Sequence, residues 1–217
     1  MSPLPVALTD NRLAKAAEVL AMSDKDLAHL LKEHGPPPLW ARAPGFVTLI
    51  RIILEQQVSL ASADAMYQRL VAQVKPLTPQ RVLALGAPFL RTFGVTRQKA
   101  GYFINIAEAI RSGQLDLEAV GMADDEAALQ MLTSIKGVGP WTAEVYLLMA
   151  LGRPDVWPVG DIALATAVQN LRDLPQRPKP QELAEIGNEW RPHRATAARM
   201  LWQYYLGGMS KDEFHTH

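Results

Sequence analysis

The chain reads as an all-α protein. Three observations predict it. Apolar residues recur at helical spacing in nearly every segment, no segment alternates apolar and polar residues as a half-buried strand would, and most apolar stretches start behind Ser, Thr or Asp and stop at Gly or Pro. With 217 residues, 48% of them hydrophobic, there is enough apolar surface for a core in one domain or two small lobes.

The elements follow from this punctuation. Thr9 and Asp10 open a helix running to about Met22, and the next opens on Ser23, with Asp26 three residues on, and stops at Gly35. Pro36, Pro37 and Pro38 make a stiff connector that cannot be helical. A strongly apolar helix spans Phe46 to Gln56, and Ser59 or Ser62 caps one reaching about Gln73. Thr78 before Pro79, Thr96 before Arg97 and Asp124 before Asp125 mark three further starts, with Gly113 as a stop. Pro140 begins a helix to Leu151 closed by Gly152, and Asp161 begins one over Ile162 to Leu171. Leu174 to Pro180, with three prolines, is a loop; a helix near Gln181 to Ile186 and one from Pro192 to Leu206, stopped by Gly207 and Gly208, complete about ten helices.

Composition removes whole classes of function. No run of about 18 apolar residues and no signal-peptide pattern occurs, so a soluble cytoplasmic protein of bacterial type is expected, and a monomer. The absence of cysteine excludes disulfides, thiolate zinc sites, a catalytic thiol and cysteine-held iron–sulfur clusters. The five histidines (His29, His34, His193, His215, His217) form no metal-binding pair, so no transition-metal cofactor is expected. Equal numbers of basic and acidic residues, 22 each, argue against a non-specific nucleic-acid coat. Any DNA binding would depend only shallowly on salt.

The most informative stretch is Lys136-Gly137-Val138-Gly139-Pro140, flanked by the apolar Leu132 and Ile135 and followed by Trp141 and Thr142. Two glycines let the backbone turn tightly between helices, and the amides opening the Pro140 helix, with the positive end of its dipole behind them, form a ready phosphate site. Such a grip needs few charged side chains, which answers the neutral net charge. Asp161 then stands where a helix begins. An ordinary N-cap would look the same, but the amide donors and helix dipole that make a good cap also stabilise a carboxylate anion in a pocket. That anion suits glycosidic-bond chemistry, where it stabilises an oxocarbenium-like sugar or activates water.

In these residues the chain resembles a helix-hairpin-helix DNA glycosylase, of the AlkA-like 3-methyladenine DNA glycosylase II family. The likeness covers about residues 45 to 206, with several motifs in order. It implies two helical lobes without an N-terminal β-rich domain, divided as 45–153, holding the hairpin, and 1–44 with 154–217, with the active-site cleft between them. It implies that Lys136, Gly137, Val138, Gly139 and Thr142 bind a DNA phosphate, and that the carbonyls of Thr133, Ile135 and Val138 hold a structural Na+ or K+. Asp161 matches the family's catalytic Asp, with no other cofactor implied. Bifunctional members carry a Schiff-base lysine two residues after the second glycine; here Trp141 stands there and cannot form an imine, so hydrolysis without strand cleavage is expected.

Two further stretches agree. Gln56-Gln57-Val58-Ser59 resembles the family's Gln-Gln-Leu-Ser segment, which implies Gln57 as the wedge entering the duplex, with Gln56 and Ser59 facing DNA. Trp190-Arg191-Pro192-His193-Arg194 resembles the family's Trp-Arg-Pro-x-Arg segment, and Trp202 beyond it resembles the Trp that lines the base pocket, which implies Trp202, with Trp141, against the extruded base and Arg194 toward DNA. Basic residues of Arg91 to Lys99 and Arg191 to Arg199 are expected as secondary contacts. The chain departs from relatives at Glu55 (glycine in many), Lys136 (proline in most) and Val145 (a pocket tyrosine in one subgroup), which implies a more open pocket. The expected activity is hydrolysis of alkylated bases flipped from double-stranded DNA. The alternatives are a glycosylase/lyase for oxidised or mismatched bases and a non-catalytic hairpin module, the latter leaving Asp161 and Trp202 unexplained.

Overall fold

A computed structural model describes residues 5–208, which contain twelve α-helices and no strand. In order these are α1 (Asp10–Ser23), α2 (Lys25–His34), α3 (Phe46–Glu55), α4 (Leu60–Gln73), α5 (Pro79–Arg91), α6 (Arg97–Ser112), α7 (Leu117–Met122), α8 (Asp125–Thr133), α9 (Pro140–Met149), α10 (Ile162–Leu171), α11 (Pro180–Asn188) and α12 (Arg194–Gly208). His215 and His217 lie outside the described residues. No described helix is long and apolar enough to cross a membrane.

Local chemistry sets most boundaries. Thr9, Ser59, Thr78, Thr96, Asp124 and Asp161 each cap the following helix by accepting a first-turn amide through a side-chain oxygen, as expected of these residue types. Two expectations are corrected, and two features were not foreseen. α1 continues through Ser23, whose hydroxyl donates back to the Leu20 carbonyl, and Asp24 caps α2 by accepting the Asp26 and Leu27 amides at 2.9 and 3.1 Å. Pro180 belongs to α11 rather than to the loop, because proline costs nothing at a helix's first position. The short α7, capped by Asp116, was not expected; six residues interrupted by Gly121 give too little periodicity. α5 is broken at Gly86, whose φ of 71° no helix accommodates.

The chain divides into two compact units, one comprising Arg42–Leu151 and the other joining Pro5–Ala41 to the chain from Gly152 onward. In the first, α3 is buried nearly all round: Leu49, Ile50, Ile52, Ile53 and Leu54 are fully enclosed, packed against α4, α6 and α9. A helix apolar on every face belongs at a core's centre, and each such side chain contributes about 1.5–3 kcal/mol by leaving water. In the second unit α12 takes that place, surrounded by α1, α2 and α10, with Leu13, Leu27, Leu164 and Leu201 enclosed. Both central helices end or begin beside the residues that matter below.

Candidate active site and nucleic-acid interface

In the first unit the hairpin joins α8 to α9. Ile135 donates its amide to the Leu132 carbonyl and Val138 donates to that of Ile135 at 2.9 Å, while both side chains turn into the core and Lys136 stays exposed. The two glycines play different parts. Gly137 has φ 107°, a backbone closed to L side chains, and a Cβ there would collide with the Tyr102 ring. Gly139 has φ −82° and open space where a Cβ would stand, so its value is the unobstructed approach it leaves to the start of α9. No side chain caps that start, Pro140 occupies its first position, and half-buried Trp141 follows. The Thr142 side chain is 1% exposed and its hydroxyl accepts the Gln56 side-chain amide at 2.8 Å, so any phosphate contact at this residue would be made by its backbone amide.

The end of α3 forms the second part. Gln57 is exposed at φ 55°, beside the exposed Val58 and Leu60, so it projects from a strained turn with apolar neighbours. Its neighbours Gln56 and Ser59 make contacts within the protein. Gln56 points inward, donating to Thr142 and, at 3.4 Å, to the Gly137 carbonyl. Ser59 is spent on capping α4, accepting the Ser62 amide at 3.2 Å. Lys99 is no surface contact: it is 7% exposed and its ammonium donates to the Leu54 and Gln56 carbonyls at 2.8 and 2.7 Å. Burial pushes its pKa below the ordinary lysine value. Glu55 is held by a bidentate Arg42 at 2.8 and 3.0 Å. Val145 is 2% exposed in the core, and next to it Tyr146 is fully enclosed, its hydroxyl accepting the Gly45 amide.

The second unit carries the acid. Asp161 is 8% exposed at the start of α10, and its Oδ1 accepts the Leu164 amide at 2.8 Å and the Trp202 indole N–H at 3.2 Å. A carboxylate bound in this way has one rotamer and one direction. Its own amide donates to the Pro158 carbonyl, which turns the loop back before the helix begins. Trp202 is thus brought to the acid as a hydrogen-bond donor, a role that its likeness to pocket tryptophans did not reveal.

The loop before Asp161 is braced at its other end. Arg194 is corrected from a DNA contact: its guanidinium takes both oxygens of Asp155 at 3.0 Å, and the more exposed Arg191 adds a contact at 2.9 Å. Arg199 is likewise internal, donating to the Leu39 and Ala195 carbonyls at 2.9 Å each, with burial lowering its pKa to about 10. Within the loop Trp157 stacks edge-on against Trp190 at 5.2 Å and donates to the Leu183 carbonyl. Gly187 makes room for it, since a Cβ there would stand 2.5 Å from the indole nitrogen. Asp155 was not singled out from the sequence, although it lies in the same loop as Asp161. Lys99 read only as a surface charge, and Tyr102 and Asn105 had no sequence signal, being ordinary residues on an amphipathic helix.

The three carbonyls implied for a monovalent cation belong to the hairpin. Neutral backbone oxygens are hard donors that suit Na+ or K+ and no transition metal. That of Ile135 already accepts the Val138 amide, and a carbonyl keeps a second lone pair, so the donor set fits the group. No cluster of three His, Asp or Glu side chains able to hold a metal occurs among the described residues.

Known proteins resemble this chain in sequence and in fold. YfjP of Bacillus subtilis (strain 168) is 28% identical over 189 residues, covering 83% of this chain and 66% of that protein. DNA-3-methyladenine glycosylase 1 of Schizosaccharomyces pombe is 28% identical over 183 residues, covering 82% of this chain and 80% of its own length. Among solved structures, S. pombe 3-methyladenine DNA glycosylase (Mag1) in complex with abasic DNA superposes with a TM-score of 0.81 at 27% identity, covering 94% of this chain and 100% of that one. The profile of the HhH-GPD superfamily base excision DNA repair proteins matches residues 50–193, which hold the Gln57 turn, the hairpin and Asp161. The chain belongs to the HhH-GPD superfamily of base excision DNA repair proteins.

Proposed function

We propose that this protein is a monofunctional DNA glycosylase that hydrolyses the N-glycosidic bond of alkylated purines, such as 3-methyladenine, extruded from double-stranded DNA. The observation that carries the reading is Asp161, a nearly buried carboxylate oriented by the Leu164 amide and the Trp202 indole in a chain with Trp141 at the lysine position of lyases. The names of the S. pombe relatives support it.

The steps follow from the residues. The amides at the start of α9 take a backbone phosphate, with Lys136 adding a surface charge. Carbonyls of Thr133, Ile135 and Val138 would hold Na+ or K+, which supplies positive charge beside that phosphate. Gln57 enters the stack where the target nucleotide has left, an extrusion least costly for a base whose pairing alkylation has weakened. Trp141 offers an indole face to the extruded base, and a cationic alkylpurine gains about 1–2 kcal/mol there once desolvated. When the C1′–N bond breaks, its electron pair stays with the base and neutralises the ring's positive charge, so no general acid is required. The carboxylate of Asp161 stabilises the sugar cation and accepts a proton from the water whose oxygen bonds to C1′. Free base and an abasic site are the products.

The test is direct. Duplex DNA treated with a methylating agent is incubated with the protein and the released bases are separated and identified. Free methylated purines are expected, with strands intact until alkali is added and no covalent complex trapped by borohydride. Absence of released base would end the reading, and a trapped complex would replace it with lyase chemistry.

A further inference from the structure

Lys99, Tyr102 and Asn105 stand three residues apart on α6, about 4.5 Å of helix rise between neighbours. Each meets a different part of the surface formed by the Gln57 turn and the hairpin. Lys99 donates to the Leu54 and Gln56 carbonyls, at the end of α3 where intrahelical donors run out. The Tyr102 ring fills the space beside Gly137, and Asn105 donates its amide to the Lys136 carbonyl at 3.2 Å. From the same turn as Lys99's acceptors, Gln56 reaches Thr142 and the Gly137 carbonyl. The turn bearing Gln57 is therefore tied to the phosphate hairpin twice, once through α6 and once through Gln56.

Two features say that this tie is more than packing. Gln57 keeps φ 55°, which a non-glycine residue holds only where its surroundings enforce it, and the carbonyl immediately before it is one of the two that Lys99 binds. Burying an ammonium is costly, and an apolar side chain in its place would fold more readily unless the bonds it makes are needed. From this geometry we propose that Lys99 is a positioning residue for base extrusion, setting the Gln57 wedge at a fixed distance from the hairpin that grips the phosphate. The inference rests on the glycosylase reading above.

The experiment compares Lys99→Met with the wild type on one alkylated purine placed either in a duplex or in a single strand, where no base pair has to be opened. On the duplex the single-turnover rate should fall about tenfold, and on the single strand by less than about twofold. Lys99→Arg, which keeps the donors, should recover part of the duplex rate, and Lys99→Met in a Gln57→Ala background should cost nothing further. A 2-aminopurine beside the lesion should brighten less with Lys99→Met than with the wild type. Equal losses on both substrates, or additive losses with Gln57→Ala, would overturn the proposal. Should Lys99→Met not fold, Gln56→Leu severs the second tie and takes the same readouts. Wild-type protein releasing no base from either substrate would instead refute the glycosylase reading.

Discussion

Replacing Asp161 by Asn separates the capping role of this carboxylate from the catalytic role proposed for it. As a cap, Asn is as good as Asp, and its amide oxygen can still accept the Leu164 amide at 2.8 Å and the Trp202 indole at 3.2 Å. Stability should therefore change by less than about 1 kcal/mol. As a catalyst, the residue loses its charge. A carboxylate about 4 Å from a developing sugar cation is worth roughly 4 kcal/mol at the effective dielectric of a protein site, which is about a thousandfold in rate. The assay is single-turnover release of an alkylated purine from a duplex, with thermal melting and DNA affinity measured on the same preparation. Asp161→Ala is the contrast. It removes the cap and leaves the Leu164 and Trp202 donors without their acceptor, costing roughly 2–4 kcal/mol of stability beside the same loss of rate. Asn-variant activity within tenfold of wild type would show that the charge plays no part in catalysis. A large fall in its melting temperature would refute the capping argument instead.

Gly137→Ala should destabilise the protein by about 3 kcal/mol or more in chemical denaturation, since it combines a φ of 107° with a collision against Tyr102. Gly139→Ala, with φ −82° and open space at its Cβ, should fold within about 1 kcal/mol of wild type yet bind duplex DNA several-fold more weakly by fluorescence anisotropy, because the methyl group stands at the start of α9. Trp202→Phe removes the indole donor to Asp161 and should lower the base-release rate about tenfold while a crystal structure shows the carboxylate no longer held in one rotamer. Burial works to raise the Asp24 pKa, but the Trp190 indole, the Leu27 and Asp26 amides and Arg172 outweigh it and hold the carboxyl below its ordinary 3.8. Its contribution is thus complete above about pH 4 and is lost as pH falls through the lowered folded value, so in acid melting curves Asp24→Asn should remove part of the decline below that point.

Helix starts were legible in the sequence because a cap is a local object. Thr9, Ser59, Thr96 and Asp161 each bond an amide three residues away, and nothing distant has to be known. The hairpin was legible for the same reason, as two glycines with apolar residues around them, and so was Asp161 at a fixed distance beyond. The second cap differed because Ser23 and Asp24 compete at adjacent positions, and only the length of α1 decides between them.

The fate of long polar side chains was not legible. Lys99 and Arg194 read as surface charges, yet Lys99 meets carbonyls 45 and 43 residues away and Arg194 a carboxylate 39 residues away. Gln56, read as facing DNA, meets a threonine 86 residues further on. By itself the sequence determined the helices, the hairpin, the carboxylate proposed as the catalytic acid and the tryptophan at position 141, because these depend on residue type and short spacing. The tertiary structure alone decided which polar groups face outward and which brace the site, because a flexible side chain takes whichever partner packing brings within about 3 Å.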